Sequence, residues 1–278
     1  MWIPLIVLVA GLIMMGVELA RPGRSWPNVS GWWLRAIFFN AIQAGLVWIA
    51  GVAWDLWMQE HALFSIASLG TALSALVGYL VLTFVYYWWH RARHEVPFLW
   101  RWFHQFHHSP QRLEVITSFY KHPLEITANA LISSTVMYLL LGLSPAGAAG
   151  ATLLSGLAEL FYHWNVKTPR LIGYFFQRPE SHCVHHERGK HHCNYGDLPL
   201  WDMLFGTFYN PPTFDGACGF AGDAELRVTE MMLGKEVQGP LDEAYKKENN
   251  SDRYDRDVED LPPSARPSLP PHTNEVLS

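Results

Sequence analysis

An all-α membrane fold follows from three features of this 278-residue chain. Apolar segments near bilayer length recur along its first 160 or so residues. Half the residues are hydrophobic, while only 16% are charged, against roughly 25% in soluble domains. Basic residues are confined to a few polar stretches, and most of the histidines sit in those same stretches. The expected architecture is about four to five transmembrane helices beneath a cytoplasmic helical cap that carries the histidine-rich site.

The apolar segments fall at residues 2–20, 32–54, 65–89, 124–143 and 146–162. Each approaches the ~20 residues a helix needs to cross a bilayer. The fifth is short and rich in Gly and Ala, so it is suited to close packing or re-entry. The first lacks a basic leader, and Glu18 stands where a small residue should precede a cleavage point, which argues against a removed signal peptide. Thirteen tryptophans suit the aromatic belts of membrane interfaces.

Lys and Arg are absent before Arg21, between Arg35 and Arg91, and between Lys121 and Lys167. The positive-inside rule then puts residues 21–35, 91–121 and the region after 167 in the cytoplasm, with the N-terminus outside. Residues 55–65 and 142–145 become external loops. The chain divides into N-terminal transmembrane helices (1–81), a catalytic unit (82–210), a helical extension (211–240) and a polar, Pro-rich tail (241–278) with too little apolar surface to order itself. A net charge of -5 argues against a nucleic-acid partner. Cys183, Cys193 and Cys218 cannot all pair, and they fit a reducing, cytosol-facing compartment.

Every histidine cluster lies on that cytoplasmic side: His90 and His94, then His104, His107 and His108, then His163, then His182, His185 and His186 with the doublet His191-His192. Neutral imidazole is a common ligand for iron, zinc and copper. A helix brings i, i+3 and i+4 to one face, so each box is expected to present its imidazoles together. Three adjacent protonated imidazoles would repel one another, which favours a metal or hydrogen-bonded neutral tautomers. The eight in the three boxes exceed the needs of one tetrahedral ion and fit two ions or one very crowded site. The doublet stays open, since either ring could ligate while the other is solvated, and His192 is carried as the candidate. His122 opens the fourth segment as a helix cap or outer-sphere group. His61, in an external loop, and His272, in the tail, stand apart. Asp202, Glu180, Glu159 and Glu95 are carboxylates with the potential to orient ligand imidazoles.

A zinc protease would need His-Glu-x-x-His, but the next histidine after His186-Glu187 is one position too far. A non-enzymatic haem protein or transporter would place polar groups inside the spans, and these are nearly free of them.

In order, spacing and closing motif, residues 82–210 resemble the fatty acid hydroxylase / sterol desaturase superfamily of integral-membrane oxygenases. The resemblance rests on His-x-x-x-His, two His-x-x-His-His boxes, His163-Trp164-Asn165, Asn194-Tyr195-Gly196 and the run from Trp201 to Thr207. Glu95 follows the first box as an acidic residue does in the alkylglycerol monooxygenase branch. The resemblance implies a di-iron centre whose catalytic ligands are His90, His94, His104, His107, His108, His182, His185 and His186, with His163 at the mid-chain position. It implies O2 as co-substrate, a membrane lipid as substrate, and hydroxylation, or desaturation at the same site. The sequence has no flavin, nicotinamide, iron–sulfur or cytochrome b5 fingerprint, so electrons are expected from an external ferredoxin or cytochrome b5-type donor.

Overall fold

The computed structural model describes residues 3–237, and these are helical with no strand; an isolated bridge between Glu187 and Cys218 is the one β-type contact among them. The expected tail at 241–278, with His272, lies outside the described residues. The long helices match the apolar segments: α1 (Ile3–Ala20), α2 (Trp32–Ala53), α4 (Thr71–Glu95), α7 (Pro123–Ser134), which runs on into a π-helical stretch at Thr135–Leu140, and α8 (Pro145–His163). Only α2 and α4 are both long and apolar enough to cross a membrane by length and composition, and α1 holds a shorter apolar stretch. The supposed external loop at 55–65 contains a six-residue helix, α3 (Asp55–Glu60).

Helix starts follow local chemistry. His122 caps α7 by accepting the Leu124 N–H, and Ser144 caps α8 by accepting from Gly147. Pro123 and Pro145 fill the first helical position, where no N–H is needed. The same device opens α5 (Pro97–Leu99), α9 (Pro179–His185) and α10 (Pro199–Phe205). Gly206, at φ 75°, ends α10 in the left-handed conformation that glycine adopts without strain.

Helix α8 packs between α4 and α1, and α2 packs against α7. At one end of this bundle, residues 63–66 donate to the carbonyls of Leu139, Leu140 and Leu141. At the other end α5, a π-turn at Trp100–His104, α6 (Gln105–His108) and α9 close over the ends of α4 and α8. An aromatic core supports that end: Phe106 stacks on Tyr120 at 4.4 Å and meets Phe39 of α2 at 4.6 Å. The outer faces of α1, α2 and α4 leave leucine, isoleucine and phenylalanine exposed. Residues 211–237, expected to be a helical extension, are mostly irregular, with a 3-10 turn at Ala224–Leu226 and the short α11 (Val228–Met232).

Candidate metal centre

Nine imidazoles converge where α4, α6, α8 and α9 meet, and they form two groups. His90, His94, His104, His108 and His185 bring one ligand atom each to within 4.8 Å of one another, and so do His107, His163, His182 and His186. His90 and His94 stay together, but the two His-x-x-His-His boxes are not units. His104 and His108 join the first group while His107 turns to the second, and His182 and His186 join the second while His185 turns to the first. The expectation that each box faces one way holds for His90 and His94 and is corrected for the two His-x-x-His-His boxes, and helix geometry supplies the reason. At about 100° per residue, i+4 lies about 40° to one side of i and i+3 about 60° to the other. A His-x-x-His-His box therefore aims i with i+4 at one point and i+3 at another. The two boxes use the rule in opposite senses and so knit the groups together. Their i+4 rings, His108 and His186, stack at 4.0 Å across the boundary.

The outward ring nitrogens are held by the backbone. Nδ1 of His90 lies 2.7 Å from the Tyr195 carbonyl, that of His185 2.8 Å from Cys193, that of His163 2.9 Å from Glu159, and that of His107 3.2 Å from Tyr120. A carbonyl accepts only, so these rings carry their proton on Nδ1 and point a lone pair inward from Nε2. Among the buried nitrogens with no hydrogen-bond partner are Nε2 of His90, His104 and His185, both nitrogens of His94 and His108, and Nδ1 of His186. In the second group, Nε2 of His182 lies 3.1 Å from both His163 Nε2 and His186 Nε2. Buried nitrogens without partners are costly, and converging lone pairs repel unless a cation or proton lies among them. The donor set thus fits a metal ion in each group. Burial supports this by pushing His104, His107, His108, His182 and His186 well below the ordinary 6.5, and His185 down to about 3. Neutral imidazole is the ligating form.

The surrounding carboxylates differ from expectation. Glu125 of α7, which the sequence reading passed over, is fully buried and places Oε1 3.1 Å from His104 Nδ1, while Arg93 pairs with the same oxygen. An acid inside an otherwise apolar segment was the available signal. Asp202 acts one step removed: it accepts from the N–H groups of Tyr195 and Gly196 and from the Thr207 hydroxyl, holding the loop whose carbonyl meets His90. Glu159 contributes its backbone carbonyl to His163, and its side chain pairs with Lys121. Glu180 pairs with Arg24 and Arg178, and Glu95 is exposed and bonded to Arg91, so neither touches a ligand. Asn165 makes a reciprocal pair of bonds with the Arg24 backbone and thereby fixes the α1–α2 connection.

His192 is exposed and joins neither group. Its neighbour His191 is the inward member of the doublet, with its ring 4.9 Å from His108 and 5.8 Å from His94. His61 is exposed and stacked on Trp57, remote from the site as expected.

Comparison with known proteins bears on the same part of the chain through one family profile. The fatty acid hydroxylase family profile matches residues 75–207. An ornithine lipid hydroxylase from Rhizobium tropici is 35% identical over 149 residues, covering 51% of this chain and 43% of that protein. Human alkylglycerol monooxygenase is 31% identical over 183 residues, covering 63% of this chain and 38% of that protein. A cholesterol 25-hydroxylase-like protein from Danio rerio is 29% identical over 136 residues, covering 47% of this chain and 53% of that protein. The chain thus spans less than half the length of the first two relatives. No solved structure gives a significant match. The histidine boxes and closing motif lie inside the matched region, so it is residues 75–207 that match the fatty acid hydroxylase superfamily.

Proposed function

We propose that this chain is an O2-dependent di-iron hydroxylase acting on a C–H bond of a membrane lipid. The observation that carries the reading is the pair of adjacent all-imidazole groups, buried apart from the half-buried His90 and His94. In this reading His90, His94, His104, His108 and His185 hold one iron, and His107, His163, His182 and His186 hold the other. His192 is left out of the ligand set. Two bound irons would supply the oxidising power to activate O2 toward an unactivated C–H bond, which side chains lack.

The protein's own contribution is orientation and exclusion of water. The carbonyls of Tyr195, Cys193, Glu159 and Tyr120 keep four rings turned inward. Tyr162, hydrogen-bonded to Asp197, and Trp100 wall the centre with aromatic surface, their rings 4.4 Å from His182 and 5.4 Å from His94. The apolar helices α1, α2, α4, α7 and α8 would carry the site in the bilayer with its histidines at the cytoplasmic end, where a ferredoxin or cytochrome b5-type donor delivers electrons. The relatives' names, an ornithine lipid hydroxylase and an alkylglycerol monooxygenase, favour a polar-headed lipid as the substrate class.

Lipid mass spectrometry of cells expressing the chain or its His107→Ala variant, grown under oxygen-18, tests the reading. The expected result is a lipid with one oxygen-18, absent in the variant. A lipid lacking two hydrogens and carrying no label would assign desaturation instead. Identical lipids in both cultures, with an electron donor and a range of lipids supplied, would favour a non-enzymatic metal-binding protein.

A further inference from the structure

Two segments beside the metal centre combine short helical structure with exposed apolar surface. One is α10 with the turn that follows it, where Leu200, Met203, Leu204 and Phe205 are exposed, Leu204 at 61%. The other is the 3-10 turn at Arg170–Tyr174 with the residues after it, where Leu171, Phe175 and Phe176 are 69%, 65% and 54% exposed. The two pack together, with the rings of Tyr174 and Phe208 5.8 Å apart. Residues 171–176 carry no charged side chain, and the one between residues 198 and 209 is Asp202, which is fully buried; Arg170, at the start of the 3-10 turn, is exposed.

The depth of α10 decides what covers this surface. Trp201 donates to the Thr83 hydroxyl at 3.0 Å and packs on Phe84 at 5.0 Å, and Phe205 meets Trp88 at 4.8 Å. Thr83 and Phe84 precede His90 on α4 by about 10 Å of helix rise, and they lie before Arg91, the first charge on that helix. Ahead of α10, Asp197 accepts from Tyr162 at 3.1 Å and lies 3.5 Å from the Ser155 hydroxyl, two turns below His163 on α8. The segment 197–205 is therefore wedged against the apolar lengths of α4 and α8, below the level of the ligands. The exposed strip on α4 formed by Leu73, Leu76, Leu80, Phe84 and Trp88 continues onto Phe205 and Leu204.

We infer that α10 and residues 171–176 form a wedge immersed in the acyl region of the bilayer leaflet on the histidine side, an interfacial element separate from the spanning helices. A lipid leaflet fits this surface because its outer face is apolar and uncharged, is continuous with a spanning helix, and is bordered at one end by the exposed Lys167 and Arg170. The wedge also bears on the metal centre. Its outer face meets lipid, and its inner face, through Asp202, holds the loop whose carbonyl orients His90.

The inference rests on the membrane reading above, and the test separates the two. Nitroxide labels at Leu204→Cys and Phe175→Cys are compared with Leu76→Cys on α4 and Arg227→Cys just before α11. The full chain is reconstituted in phosphatidylcholine vesicles, and background is measured on the parent chain. The electron paramagnetic resonance readout is accessibility to O2, which concentrates in lipid, relative to a water-soluble nickel chelate. The expected O2 preference at 204 and 175 matches that at 76 and is several-fold above that at 227. If 76 faces lipid while 204 and 175 behave like 227, the wedge is wrong and the membrane reading stands. If 76 itself behaves like 227, both fall. If 204 and 175 are shielded from both reagents, a second protein copy covers the surface and the lipid assignment is overturned.

Discussion

Individual side chains at the centre divide into the imidazoles that converge and the groups that aim them. The boxes made the ligands legible, since eight of the nine grouped imidazoles lie in them and His163 stood at the expected mid-chain position. The doublet was harder. His191 and His192 are adjacent in sequence, and only the backbone path after α9, with Cys193 O turned to His185, decides which ring faces inward. Glu125 was missed because it is one turn into an apolar helix and distant in sequence from His104. Its geometry gives a specific expectation. Glu125→Gln keeps the volume and loses the charge that fixes the His104 ring, so metal affinity of the first group should fall by roughly 10- to 100-fold, read by competition with a chelator. Glu95→Gln, at an exposed ion pair, should leave affinity unchanged. Equal loss in both variants would remove Glu125 from its positioning role.

At the scale of elements, the long helices were legible as apolar runs, and their Pro and polar starts followed known capping chemistry. The crossing of the boxes was also available in the sequence, through the angle between i+3 and i+4, but a coarse one-face rule obscures it. Helix α10 was not legible as a membrane element, because seven residues are too few to register as an apolar segment. Helices α6 and α9 face each other through buried imidazoles, and this makes their packing sensitive to acid. In the folded metal-free chain His185 is pushed down to about 3 and its neighbours well below 6.5. The unfolded chain binds these protons near 6.5 and the folded chain resists them. Stability is therefore fully present above about 6.5 and is lost as pH falls from there toward 3. Urea unfolding of chelator-treated protein in detergent should show its midpoint fall between pH 7.5 and pH 5. A midpoint that holds or rises over that interval would contradict neutral, buried imidazoles.

At the scale of the molecule, the arrangement is a bundle of apolar helices with both imidazole groups at one end. The sequence implied this by gathering every box between the same charged stretches. What it did not reveal was that the site is a single interlocked object, in which α4, α6, α8 and α9 each supply rings and both His-x-x-His-His boxes are split between the two groups. The central claim is two irons held by two crossed histidine groups. The most direct test is iron per chain in purified protein and in two variants, His185→Ala for the first group and His107→Ala for the second, each checked for intact membrane insertion. The account expects two irons per chain in the parent and one in each variant, with the remaining iron in a different environment in each by Mössbauer spectroscopy. A parent holding one iron that both variants lose, or variants that retain both irons, would contradict it.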